Sequence, residues 1–328
     1  MTIHDLRSYI QTLDAAGQLA RVRTPVSLDF ELADVAASLA RTDTGAGLFE
    51  DVTGCAWPIF CGSVTSHRRA ALALGCEPDE VIDVMERVLD PAKGIEPVLV
   101  DRATWHDNHV TGDELDSALL PIPTHSRGDG GAFITGAVTV AKDPISGRGN
   151  LGYNRMLRLG ATRFGFNVNE WRDVGTFWKS RDDPNAPFPI ALAIGLDPAI
   201  MIAGGVKTPV DELTIAGAIR GHGIEVCQGR TVDVAIPAAA EIVFEGLLHP
   251  AERELEGPLA EFHGYHGEPW NSPTFEVTAM SWREDPIYQT IIPGWYEHIY
   301  IGNDLPREPQ LRRVVRHLDP TADVHIPP

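Results

Sequence analysis

From residue 132 onward the chain is cut into short apolar runs of strand type, and nothing else in the sequence limits its fold as much. AFITGAVTVAKD, PFPIALAIGLD, IEVCQGRTVDVAIP and AEIVFEG follow one another, and PTFEVTAMSWR and PIYQTIIPG come later. Turn-forming residues separate these runs at short intervals, the composition of strands bounded by turns. One helix-like segment, VDELTIAGAIRG, interrupts the series. Many short strands with a few helices predict a barrel or sandwich carrying inserted helices.

The first hundred residues read differently. Ile3, Leu6, Ile10 and Leu13 recur at helical spacing behind Thr2 and Asp5, so TIHDLRSYIQTLDAAGQL is expected to be a packed amphipathic helix and not a signal peptide. ELADVAASLA places Leu32, Val35, Ala36 and Leu39 on one helical face, WPIFCGSV is a short strand, and EPDEVIDVMERVL is a further amphipathic helix. Such alternation predicts α/β layers. VTGDELDSALLPIPTHSRGDGG then breaks the pattern and marks a crossing between domains. The expected organisation is an N-terminal α/β domain over 1–115, a β-rich domain over 116–310 and a tail over 311–328. With 328 residues and 43% hydrophobic content, both cores can be filled.

Composition narrows the function classes. A formal charge of −19 argues against a nucleic-acid partner, whose phosphates call for a basic face. No apolar run reaches the roughly 18 residues of a membrane span, and the cytoplasm is the expected location. Cys55, Cys61, Cys76 and Cys227 stand at irregular spacings without a CxxC pair, as reduced thiols in a core would.

Three stretches could carry chemistry. DPISGRGNLGYNRMLRLG combines a turn with Asn150, a hard neutral oxygen donor, and Arg155, a side chain suited to gripping a carboxylate through two parallel hydrogen bonds. A hairpin with a surface arginine would read the same. GGVKTPVDELTIAGAIRG opens a helix with Asp211 and Glu212, which serve either the helix dipole or a cation. EGPLAEFHGYHG brackets a Gly-Pro with Glu256 and Glu261 and follows them with His263 and His266, which suit a turn as hydrogen-bonding residues or a pocket as contacts. Trp270, Trp295 and Tyr296 either wall a pocket or anchor loops.

Taken together and in order, GGAFITGAVTVAKDPISGRGNLGYNRM, LDPAIMIAGG, DELTIAGAIRG, PAAAEIVFEG and EGPLAEFHGY resemble the UbiD-like decarboxylases, which use prenylated FMN. The resemblance runs from about Leu6 to Gly294 and implies an N-terminal α/β layer domain followed by a flavin-reductase-like split β-barrel. It also implies a reversible, non-oxidative decarboxylase of an aromatic, heteroaromatic or α,β-unsaturated acid. Arg155 would orient the substrate carboxylate, Glu256 would hold Arg155, and Glu261 would protonate the carbon that CO2 leaves. Prenylated FMN would accept the electron pair, because no ordinary side chain can. Asn150, Leu151, Arg155, Met201 and Glu212 fall at cofactor-binding positions, with Asn150 and Glu212 as ligands of a divalent ion, usually manganese, accompanied by potassium.

Two departures stand out. The family's third metal ligand is a histidine about two dozen residues after the asparagine, yet no histidine lies between Ser126 and Gly221. Asn167, Asn169, Glu170 and Trp171 are the candidates to replace it. Typical members also carry a further α/β domain where this chain ends in HLDPTADVHIPP, which implies a second subunit or an altered homo-oligomer. A flavin prenyltransferase would supply the cofactor. An accessory subunit of a split enzyme, or a flavin enzyme with a changed reaction, are the rival readings.

Overall fold

The computed structural model describes residues 2–261, 263–294 and 296–326. Its first helix, Leu6–Ala15, is capped by Asp5, whose side chain accepts from the Ser8 amide while the Ser8 hydroxyl bonds back to the Asp5 amide. Ile3, Leu6, Ile10 and Leu13 are buried, as their spacing requires. Leu19–Val22 and Ala46–Phe49 pair in parallel, and Ile59–Cys61 runs antiparallel to the latter. The fourth strand of this sheet, Tyr288–Gln289, comes from late in the chain and pairs in parallel with Ile59–Cys61. The N-terminal layer is thus completed by a segment almost 230 residues away from its neighbour.

The β-rich region forms a nine-stranded sheet. Its hydrogen-bonded order is Phe133–Ile134, Met156–Arg158, Arg163–Phe166, Trp270–Trp282, Ile242–Glu256, Phe188–Ile194, Val138–Lys142 and Gly149–Tyr153, with Asn108–Thr111 also pairing to Trp270–Trp282. Every pairing is antiparallel, and the path does not close on itself among the described residues. The class is the expected one, α/β layers with a large β domain, in an open rather than closed form.

Successive strand residues point to opposite faces, and the sheet uses both. Ile190, Leu192 and Ile194 enter one apolar cluster with Phe164, Phe244 and Phe275, while Ala191 and Ala193 enter another with Val138, Met201 and Val243. Each cluster also takes residues of the N-terminal layer, Leu32 and Phe49 in the first and Leu6 and Tyr9 in the second. Helices Pro198–Gly204 and Glu212–Arg220 are inserted between strands. All four cysteines are free thiols. Among the described residues no helix is long and apolar enough to cross a membrane.

Candidate active site

The strand order brings together residues a hundred positions apart. Arg155 lies between the strands Gly149–Tyr153 and Met156–Arg158, and Glu256 ends the strand Ile242–Glu256. Arg155 donates from Nε to Glu256 Oε1 at 2.9 Å and from Nη2 to Oε2 at 3.2 Å, the bidentate arrangement that fixes a guanidinium in plane. Asn167 Nδ2 donates to Oε2 at 2.8 Å. With 0% exposure, Glu256 spends both oxygens on these donors. The remaining Arg155 nitrogen, Nη1, donates to Glu261 Oε1, whose side chain keeps 27% exposure. Glu261 is therefore the partly exposed partner of a guanidinium that Glu256 grips through two nitrogens.

Glycine makes room for this arrangement. A Cβ on Gly165 would come within 3.2 Å of the Glu256 Cβ, and one on Gly130 within 2.2 Å of the Gly257 carbonyl oxygen. Gly130 N also donates to Pro258 O at 2.8 Å, so the GDGG loop lies directly on the EGP turn. The segment beyond the turn folds back as a small hairpin, with Glu261 N donating to Tyr265 O at 2.9 Å and a bridge between Ala260 and His266. His266 Nε2 stands 3.2 Å from both Ser126 Oγ and Asp129 Oδ1, which ties the hairpin to the GDGG loop. His263 packs its ring against exposed Tyr265 instead.

Beside the Arg155 trio opens a cavity of about 410 Å³, a size typical of small-molecule sites. Asn150, Leu151, Arg155, Glu212 and Glu261 line it; Glu256 and Met201 do not. Met201 is fully buried, and its carbonyl accepts at 2.9 Å from the hydroxyl of Tyr153, which is part of the cavity wall. Neither Trp270, half exposed at the start of its strand, nor Tyr296 lines the cavity, and Trp295 lies outside the described residues.

The two acids of DELTIAGAIRG separate in function. Asp211 is the N-cap of helix Glu212–Arg220, its carboxylate accepting from Leu213 N at 2.9 Å. Glu212 turns away with 1% exposure, accepting from Leu151 N at 2.8 Å and from Asn150 Nδ2 at 3.2 Å on both oxygens. These donors are neutral, and burial pushes the Glu212 carboxyl up to about 8. A cation bound beside it would replace the proton, and with the Asn150 carbonyl the donor set is hard oxygen throughout.

The chain matches a family model described as the 3-octaprenyl-4-hydroxybenzoate carboxy-lyase Rift-related domain over residues 98–296, and the N-terminal domain model of the same carboxy-lyase over residues 10–89. An evolved dimeric form of the UbiD-class enzyme HmfF from Pelotomaculum thermopropionicum, in complex with prenylated FMN, superposes with a TM-score of 0.91 at 35% identity, over 97% of this chain and 74% of that one. The chain belongs to the UbiD family of carboxy-lyases. Other solved members are similar: the apo 3,4-dihydroxybenzoic acid decarboxylase of Enterobacter cloacae, with 29% identity and a TM-score of 0.90 over 98% of this chain and 71% of that one, and the apo enzyme AroY of Klebsiella pneumoniae, with 28% and 0.90 over 97% and 70%.

Against the UbiD pattern, the four residues considered for the absent histidine are otherwise engaged. Asn167 serves Glu256, Asn169 Oδ1 accepts from Trp171 N at 3.0 Å, and Glu170 pairs with Lys179 and Arg253, both at 2.7 Å. Trp171 is 87% exposed. Asn167 and Asn169 line the cavity, as does a carboxylate just beyond the four, Asp173, the first residue of helix Asp173–Lys179, which pairs through Oδ1 with Arg148 Nη2 at 2.7 Å. His298 also lines the cavity and was not singled out by the sequence. Burial and the nearby Arg155 charge lower its pKa against an opposing pull from Glu261, so the imidazole is neutral near pH 7, with Nδ1 accepting from Gly294 N at 3.3 Å. Neither residue sits in a periodic pattern, and only the cavity reveals them.

Proposed function

We propose that the protein is a prenylated-FMN-dependent decarboxylase of an aromatic, heteroaromatic or α,β-unsaturated carboxylic acid, with Arg155, Glu256 and Glu261 as its catalytic group. The observation that carries this reading is the Glu256–Arg155–Glu261 chain of ion pairs at the wall of a cavity of about 410 Å³. When bound, the prenylated flavin supplies the electron sink that decarboxylation needs. Asn150, Leu151, Arg155 and Glu212 would hold it, with Met201 supporting the wall through Tyr153. A divalent ion, with manganese as the proposed metal and potassium as a possible companion, would sit at Asn150 and Glu212. Asp173, whose second oxygen carries no hydrogen bond among the described residues, would be the third donor.

The residues' own work follows from charge. Arg155, Glu256 and Glu261 together carry one net negative charge, and an incoming substrate carboxylate adds another. Glu256 cannot yield, being buried and held by three donors. Glu261 can, because it faces the cavity and meets the guanidinium through one nitrogen. A substrate carboxylate that takes over Nη1 releases Glu261, and taking up a proton there relieves the crowded negative charge. Once CO2 has left, the same proton is placed to reach the substrate carbon, as general acid catalysis requires. Neutral His298 beside Glu261 keeps this end of the cavity from gaining a second fixed cation.

A Glu261→Gln variant tests the assignment. Loaded with the cofactor by a flavin prenyltransferase, it is expected to bind flavin as wild type does and to lose CO2 release from every acid by about a hundredfold or more. Full turnover in that variant would remove Glu261 from the mechanism. Flavin retention with no CO2 release from any acid by the wild-type chain would instead favour a changed reaction.

A further inference from the structure

Away from the cavity, a small third sheet ends in an open, apolar edge. Its order is Ala235–Pro237, Glu225–Gln228, Val98–Leu99, so among the described residues Val98–Leu99 has a neighbour on one side alone. That pairing is parallel, with Val98 N donating to Ile224 O and Val100 N to Val226 O, both at 2.8 Å. The alternation along a strand then turns the Leu99 amide and carbonyl away from the sheet, together with the Pro97 carbonyl and the Asp101 amide, and none of these four groups has a hydrogen bond among the described residues. Val98 is 50% exposed and Leu99 67%. An unpaired edge that carries apolar side chains is a template for another strand. The template is short, because Pro97 has no amide to donate and the chain bends at Asp101.

We propose that this edge is a self-association surface, on which a second copy of the chain adds its own Val98–Leu99 strand in antiparallel pairing about a two-fold axis at Leu99. The order of charges along the segment selects that occupant. In this register residue 96 of one copy faces residue 102 of the other, 97 faces 101, 98 faces 100, and Leu99 faces itself. Glu96 is thus set against Arg102 at both ends of the ladder, with Val98 and Val100 between them on the same face. Glu96 and Arg102 are both exposed, and neither has an ion pair among the described residues. A parallel arrangement would instead put Glu96 beside Glu96. Leu99 N donates to Leu99 O of the second copy and Asp101 N to its Pro97 O, and the symmetry makes each bond twice. The Leu99 side chain is covered by its own counterpart. Since each copy uses the same edge, and Pro97 and the bend stop the ladder, the assembly closes at two chains.

The test is the dimerisation constant of the full chain, measured by sedimentation velocity at low and high salt. The wild-type chain is expected to dimerise, more tightly at low salt because the pairs at the ladder ends are exposed. Glu96→Arg sets arginine against Arg102 at both ends and should weaken the dimer about tenfold or more, as should Arg102→Glu. The double variant Glu96→Arg, Arg102→Glu reverses both pairs and should restore the wild-type constant. Leu99→Pro removes the outward amide and leaves the Val98–Ile224 and Val100–Val226 bonds in place, so it should give a monomer with the circular dichroism of wild type. A wild-type chain that stays monomeric up to its solubility limit overturns the proposal. So does an oligomer that none of these variants weakens, which would move the interface to another face. A double variant that associates no better than the single ones overturns the antiparallel register and the proposal with it.

Discussion

Single residues here are chosen for what their neighbours leave them. Glu256 and Glu261 have the same side chain five positions apart, yet one is fully buried with three donors and the other faces a cavity with one. On that difference, and not on residue type, rests the proposed division into a holder and a proton carrier. The sequence offered both carboxylates and the arginine through the resemblance of EGPLAE and NLGYNR to the UbiD-like pattern. It could not offer Gly165, which looks like any strand glycine until the register sets it against Glu256. Gly165→Ala puts a Cβ 3.2 Å from the Glu256 Cβ and 3.3 Å from its Cγ, so the carboxylate and the arginine it holds must shift. CO2 release should drop about tenfold or more, given how steeply catalysis depends on placement. Overpacking of this kind costs about 1–3 kcal/mol, so the fold should survive. Unchanged turnover in a folded variant would show that the Glu256 position is not critical.

At the scale of elements, the inserted helices do the positioning. Helix Glu212–Arg220 was legible from its apolar spacing and its Asp-Glu opening, but its split into a capping Asp211 and an inward Glu212 was not, since both residues satisfy the same pattern. The segment after Gly294 was less legible still. Tyr296–Ile299 runs into a π-helical turn, Tyr300–Asp304, and then into Leu305–Leu318. Such a turn inserts an extra residue into the helical register, and it brings Ile301 and Gly302 to the cavity. Glu297 pins this segment to the N-terminal layer, accepting from Gly62 N at 2.8 Å, Val64 N at 3.2 Å and the Ser63 hydroxyl.

Asp304 closes the π turn at 5% exposure with Oδ1 lacking a partner among the described residues, and burial, then Glu308, push its carboxyl up from 3.8 to about 6. A raised carboxyl means that the folded state holds more protons than the unfolded chain between these values. Its contribution to stability is therefore greatest below about pH 4 and is lost as pH rises toward 6. Asp304→Asn should raise the melting temperature at pH 7.5, and the gain over wild type should shrink as pH approaches 4. A difference independent of pH, measured by thermal melts across that range, would show that Asp304 does not titrate in this way.

Over the whole molecule, the two layers share their apolar clusters and are tied by charge as well. Glu241, at 0% exposure, pairs with Arg7 at 2.8 Å and Arg283 at 3.2 Å and accepts from Ile287 N at 3.1 Å, joining the first helix to the loop that precedes the strand Tyr288–Gln289. Arg7 and Arg283 keep 31% and 23% of their side chains exposed and can turn to water, so breaking these pairs costs less than the roughly 3–5 kcal/mol of a fully buried pair. Glu241→Ala should lower the unfolding midpoint by calorimetry while the loss of structure remains one transition; two separated transitions would mean that the layers unfold independently. By itself the sequence determined the kinds of element, the β-rich class and the first helix with its cap, because these depend on local spacing and turn chemistry; the Arg155 group came from the resemblance of its motifs to the UbiD-like decarboxylases. Only the tertiary structure decided that Tyr288–Gln289 completes the N-terminal sheet, that Glu212 is inward and Asp211 is not, and that Asp173 and His298 share one cavity. Strand pairing and burial are set by which distant segments can bury apolar surface and satisfy hydrogen bonds together, and no local pattern records that choice.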